Sequence, residues 1–207
     1  VYLLARLNPA LGAHGSWTAL LVAAGLATML TGTVLALREK DLKRVLAYST
    51  VVSLGTLVTL IGLPAEVAAS AIVTFLLVHA LYKACLFMVA GIIDHEAGTR
   101  DASALGGLAR SMPLTATVAV LAGLSMAGLP PFVGFVGKEM IYQAGLTASS
   151  PWIAVGTALL ANACMVVVAG VVTVRCFFGR PTPTGSPGDA QPRPTDPAWG
   201  MLAAPAA

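Results

Sequence analysis
The sequence predicts an all-α, polytopic membrane protein, and three observations carry that expectation. Of its 207 residues 57% are hydrophobic and only 10% are charged, against about 25% charged in a soluble domain. Five apolar runs are long enough for helices crossing a bilayer core of about 30 Å, which takes about 20 residues each. The connections between those runs hold nearly all of the charge, which sums to +3. None of the runs alternates apolar with polar residues at every second position, as the strands of a membrane barrel do.

The runs at 16–37 and 45–63 contain no charged residue. The run at 67–93 contains one, Lys83, and that at 113–146 contains Lys138 and Glu139. The last, 152–178, carries Arg175 near its end, where the long stem can take the charge to the interface. As one straight helix, 113–146 would be about 50 Å long, too long for a plain crossing. The stretch "MAGLPPFVGF" (126–135) interrupts it, because Gly128, Pro130 and Pro131 favour unwinding and the prolines lack backbone donors. Two half-helices with exposed carbonyls between them are therefore expected. Residues 1–178 make up the transmembrane region. The stretch 179–200, "GRPTPTGSPGDAQPRPTDPAWG", is crowded with proline and glycine and reads as a polar linker. Residues 201–207 resemble the start of a further apolar segment, and "VYLLARLNP" the tail of an earlier one, so the chain reads as a piece of a longer protein.

Charge sets the orientation. The connections 38–44 and 94–112 carry Arg38, Lys40, Lys43, Arg44, Arg100 and Arg110, and the tail from 179 adds Arg180 and Arg193. The opposite set, 62–67, 147–150 and the N-terminal stub, offers only Arg6. The positive-inside rule places the first set in the cytoplasm of a cell-membrane protein.

Lys83 is the residue to explain. It lies about three residues past the middle of its run, or about 5 Å along the axis, where a lysine costs roughly 2.5–3.5 kcal/mol or more to insert. Snorkelling is the plain alternative, but the nearer interface lies toward the helix C-terminus while Cβ points toward the N-terminus. A polar, water-containing path inside the bundle fits better, where burial favours the neutral amine and lets the group bind and release a proton. His79, four residues earlier, shares its face and is the side chain suited to proton exchange near neutrality. Lys138, just past the Gly/Pro break, is the second site, since broken helices at membrane depth are tolerated where they line a cavity. Ser49, Ser53 and Thr56 form one hydroxyl stripe on the second helix, which can hold water beside Lys83 or hydrogen-bond across packed helices. Asn162 has the same two readings. Asp94, His95 and Glu96 are consecutive and cannot put three ligands on one face, so a solvated cap or a contact with another subunit is expected there, with no metal and no cofactor. Cys85, Cys164 and Cys176 are expected to be small packing residues. No phosphate loop, nucleophile elbow or basic–aromatic interleaving for nucleic acid occurs.

The strings "DLKRVLAYSTVVSLG" (41–55), "HALYKACLFMVAGIIDHEAGTRD" (79–101) and "LGGLARSMPLTATVAVLAGLSMAGLPPFVGFVGKEMI" (105–141) resemble the antiporter-like membrane subunits. These are shared by respiratory complex I and the Mrp-type multisubunit cation/proton antiporters, and "IIDHEAGTRD" is most similar to the A subunit, the largest, of the latter. The resemblance implies inverted repeats of five helices with a broken helix in each, of which this chain would be most of one. It implies that Lys83 links a midplane relay, that Lys138 ends it, and that Lys43 or Arg44 lies near the cytoplasmic mouth. Many complex I relatives carry another histidine one turn before His79; Phe75 stands there in this chain, which speaks against a two-histidine relay. The implied function is exchange of Na+ or another monovalent cation for protons, with other membrane subunits as partners and no enzyme activity of its own. Two alternatives stand beside it: a proton-pumping subunit of a complex I-like dehydrogenase or membrane hydrogenase, and a structural subunit that conducts nothing.

Overall fold
The computed structural model describes residues 1–63, 65–148, 151–180 and 195–196. The expected linker and the apolar start at 201–207 lie outside these residues, apart from positions 179, 180, 195 and 196. Among the described residues every regular element is helical. They are α1 (Tyr2–Leu11), α2 (Gly15–Arg38), α3 (Leu42–Ile61), α4 (Ala65–Ala97), α5 (Pro113–Ala127), α6 (Val133–Leu146) and α7 (Pro151–Gly170), the last continuing as a π-helix over Val171–Phe178. Among the described residues four stretches are long and apolar enough to cross a membrane: Gly15–Arg38, Leu42–Ile61, Ala68–Ala97 and Ala154–Phe178, with Pro113–Ala127 a shorter apolar helix. The all-α membrane class is what the composition predicts.

The helices run further than the apolar runs do. α3 starts at Leu42 because the Asp41 carboxylate accepts hydrogen bonds from the Lys43 and Arg44 amides at 2.9 and 3.2 Å, an N-cap. α4 continues through Asp94, His95 and Glu96 to Ala97 and stops where Gly98 turns left-handed, at φ 65°. The expected connections 38–44 and 94–112 are shortened accordingly. Between them a small clasp forms. Leu42 N donates to Arg100 O and Ala102 N to Lys40 O, both at 2.9 Å, while Lys43 pairs with Asp94 at 2.7 Å.

α3 is the central helix, lying against α2, α4 and α7, and Leu42, Leu46, Val52 and Leu57 on it are fully buried. It meets α2 backbone to backbone. A Cβ on Gly55 would stand 2.7 Å from Met29 N and 2.8 Å from Gly25 O, so only glycine allows this approach, the small-residue packing typical of membrane helices.

α5 and α6 replace one long crossing. α5 opens on Pro113, whose missing N–H costs nothing at that position. It closes on Gly128, at φ 76°, with Leu129 N donating to Leu124 O at 3.2 Å, the glycine-terminated ending that stops a helix cleanly. The Pro130–Pro131 bond, which is cis, leads into α6. The N-terminus of α5 takes its cap from far along the chain. The Asp196 carboxylate accepts from Leu114 N, Thr115 N and Thr115 Oγ1 at 3.1, 3.2 and 2.8 Å.

Candidate functional site
Lys83 points into the bundle and is 5% exposed. Its Nζ donates to Leu46 O on α3 at 2.8 Å and to Ser49 Oγ. Leu46 O is an acceptor hub, since Ser49 Oγ and Thr50 Oγ1 also donate to it, at 2.9 and 3.0 Å. Phe87, one turn on, places its ring centroid 6.0 Å from the amine, at the outer reach of a cation–π contact. Such a site satisfies an ammonium without a carboxylate.

His79 lies one turn before, its Nδ1 3.0 Å from the Tyr82 hydroxyl, and Tyr82 meets Ser53 in turn. Ser53 Oγ donates to Ser49 O at 3.2 Å. His79, Tyr82 and Ser53 thereby form one polar chain, which meets the Lys83–Ser49 pair through the Ser49 backbone carbonyl. Phe75 stacks obliquely on His79 with centroids 5.9 Å apart, occupying the place where a second histidine would stand.

Lys138 is also buried, at 8% exposure. Its Nζ donates to Ala127 O at 2.7 Å, a carbonyl released where α5 ends. The side chain lies across Gly128, where a Cβ would come within 3.0 Å of Nζ. The break thus supplies both an acceptor and room for the lysine stem.

A cavity of ≈ 30 Å³ lies beside Lys138 and reaches Ser53. It is bounded by Ser53 and Thr56 of α3, Phe75 of α4, Lys138 and Tyr142 of α6, and Asn162 of α7. Its size is enough for one or two waters. Asn162 Nδ2 donates to Tyr142 Oη at 2.5 Å, while its Oδ1 is buried with no hydrogen-bond partner. An orphan acceptor on a small cavity is a place where a water's hydrogen would be welcome. Thr56 Oγ1 turns to Val52 O at 3.1 Å and to Met29 Sδ at 3.5 Å.

Of the residues that the sequence singles out, Lys83, His79, Ser49 and Ser53 come together, and Lys138, Thr56 and Asn162 share the cavity. Lys43 and Arg44 do not join them; they sit at the charged end, on Asp94 and Glu39 respectively. Glu139 faces away and accepts from Gln143 at 3.2 Å. Asp94 takes Lys43 and Arg100, and His95 lies against Glu96. Among the described residues no group of three or more His, Cys, Asp and Glu side chains is placed to hold a metal. Sequence reasoning misses Tyr82, Tyr142 and the Leu46 carbonyl, though Tyr82 three residues after His79 is a readable spacing.

The transmembrane family described as NADH:quinone oxidoreductase/Mrp antiporter matches residues 1–170. The chain belongs to this family. The A subunit of a Na(+)/H(+) antiporter from Alkalihalophilus pseudofirmus is 47% identical over 163 residues, 72% of this chain and 20% of that protein. The A/B subunit of a probable K(+)/H(+) antiporter from Rhizobium meliloti is 40% identical over 98% of this chain and 20% of its own length. The chain therefore spans about a fifth of the length of the curated relatives it matches. Among solved structures, the Mrp complex from Dietzia sp. DQ12-45-1b matches with TM-score 0.77 and 40% identity, over 82% of this chain and 19% of that one. The membrane-bound sulfane sulfur reductase, an archaeal respiratory membrane complex, matches with TM-score 0.80 and 25% identity, over 92% and 30%. As a member of the Mrp antiporter family, the chain is an antiporter-like, multi-pass membrane segment.

Proposed function
We propose that this chain moves protons for a monovalent cation/proton antiporter, with Lys83, His79 and Lys138 as the groups that carry them. The observation that carries the reading is Ser53, which meets Tyr82 beside His79 and the backbone of Ser49 beside Lys83, and also forms part of the wall of the cavity that Lys138 lines. A proton on Lys83 would pass to Ser49 and, over a bridging water, to Ser53, from there through Tyr82 to His79 or through cavity water to Lys138. Two positive charges in one low-dielectric space repel strongly, so loading one lysine favours release from the other. Charge then moves without a large hinge. Lys43 and Arg44, at the end of the bundle rich in cations, would face the cytoplasmic mouth, with the tail from 179 on the same side. Na+ as the exchanged ion has the support of the Alkalihalophilus relative's name, and the surrounding membrane subunits that of the Mrp complex match.

The test is transport by the complete complex in inverted membrane vesicles. Lys83→Ala and Lys138→Ala are each expected to abolish cation-driven pH change while leaving the complex assembled. Normal exchange in either variant overturns that residue's role, and full tolerance of methionine at both positions would leave a structural subunit. The fit to a respiratory membrane complex favours a second reading, a proton-pumping subunit of a complex I-like assembly. Co-purifying iron–sulfur or flavin subunits would select it.

A further inference from the structure
A second cavity, of ≈ 370 Å³, opens at the charged end of the bundle, between the end of α2 and the π-helical end of α7. Such a volume is in the range of ligand pockets. Its floor is Ala36, Val168 and Ala102, all buried, and its outer wall is Leu37 and Val167, each about half exposed at 53% and 50%. Three cations rim it: Arg38, Lys40 and Arg175. The ion pairs at this end use Lys43, Arg44, His95 and Arg100, and none of the three rim cations is in an ion pair among the described residues. One carboxylate, Glu39, also lines the cavity, but it is taken by Arg44 and by the amides of Lys40 and Asp41. Asp101 feels Lys40 and Arg175 but accepts from Ser103 N at 2.7 Å. Positive charge therefore remains in excess around the opening. The π-helix matters here, because its wider turn sets where Arg175 leaves the helix, and such distortions often mark functional positions.

We propose that this cavity binds the headgroup of an anionic phospholipid, with Arg38, Lys40 and Arg175 on its phosphate and an acyl chain along Leu37 and Val167. A basic pocket between membrane helices, at headgroup depth and with apolar walls leading to the hydrocarbon, suits such a lipid. It suits a soluble protein segment less, since Leu37 and Val167 are exposed faces of helices apolar enough to cross a membrane. The proposal is independent of proton transfer by Lys83 and Lys138.

The complete complex, purified in mild detergent, is exposed to phosphatidylglycerol, to phosphatidylcholine or to inorganic phosphate, and bound lipid is counted by native mass spectrometry. The expected result is one more phosphatidylglycerol than phosphatidylcholine retained per chain, undisturbed by phosphate. Lys40→Gln should weaken that retention about fivefold, and Lys40→Gln with Arg175→Gln about thirtyfold. Arg6→Gln, at the other end of the bundle, should leave it unchanged. If the double variant does not assemble, Lys40→Gln alone decides. Equal retention of both lipids, or unaltered retention by Lys40→Gln, overturns the proposal. Displacement by millimolar phosphate overturns it as well, in favour of a free-anion site.

Discussion
Replacing Tyr82 by phenylalanine removes one oxygen atom and, with it, the contact between His79 and Ser53. The ring stays buried, so the fold should hold. Cation-driven proton flux in vesicles is expected to fall about tenfold, the worth of one hydrogen bond in a rate. Asn162→Leu separates stability from transport. It removes a buried acceptor that has no partner together with the hydrogen bond to Tyr142, two opposing effects of about 1 kcal/mol each, so the thermal midpoint is expected to stay nearly constant while flux drops. At this scale the sequence is only partly readable. Lys83 and Lys138 stand out because a charge in an apolar run is costly and so demands a reason. Tyr82 does not, since a tyrosine among leucines violates nothing. Leu46 is invisible for another reason: its contribution is a backbone carbonyl, which no side-chain pattern announces.

The broken crossing and the α2–α3 contact each rest on glycine. Gly128→Ala forces a side chain into the left-handed region, at a cost of about 1–2 kcal/mol, and displaces the Lys138 stem. Both a lower thermal midpoint and loss of transport are expected. Gly55→Val pushes α2 and α3 apart and should destabilise by about 3 kcal/mol or more. Gly91→Ala, inside α4 with nothing within 4 Å, should raise the midpoint slightly, by the equivalent of about 0.5–1 kcal/mol of helix propensity. The clasp between α3 and the loop after α4 has its own acid limit. Hydrogen bonds from Ser103 hold the Asp101 carboxyl below its usual 3.8. A depressed carboxyl contributes fully above the unfolded value and loses its contribution as pH falls through the folded one. Protection of the Ser103 amide, taken relative to its intrinsic exchange rate at each pH, should thus hold at neutral pH and be lost only below the usual carboxylate range. The break at "GLPP" is written in residue types, as are the apolar runs. The π-helix is not, because Thr173 and Arg175 within it would sit equally well in an α-helix. The helix ends at Leu42 and Ala97 escape an apolar-run reading because polar caps and ion pairs extend them.

For the molecule as a whole, charge asymmetry gives a topology that labelling can check. In intact cells, Thr147→Cys should react with an impermeant thiol reagent and Arg110→Cys should react only after the membrane is opened. The reverse pattern would invert the bundle. The all-α class and the antiporter family are legible from composition and from "HALYKA" and "GLPPFVGF", because both are local strings. The contact of Asp196 with Leu114 and Thr115 is not, since 82 positions separate its ends. That contact makes the stretch from α5 to Asp196 a closed ring fastened at one carboxylate, with the Lys138 break inside it. Any shift of the Asp196 carboxylate is therefore delivered to the first turn of α5, the helix whose far end supplies the carbonyl that Lys138 holds.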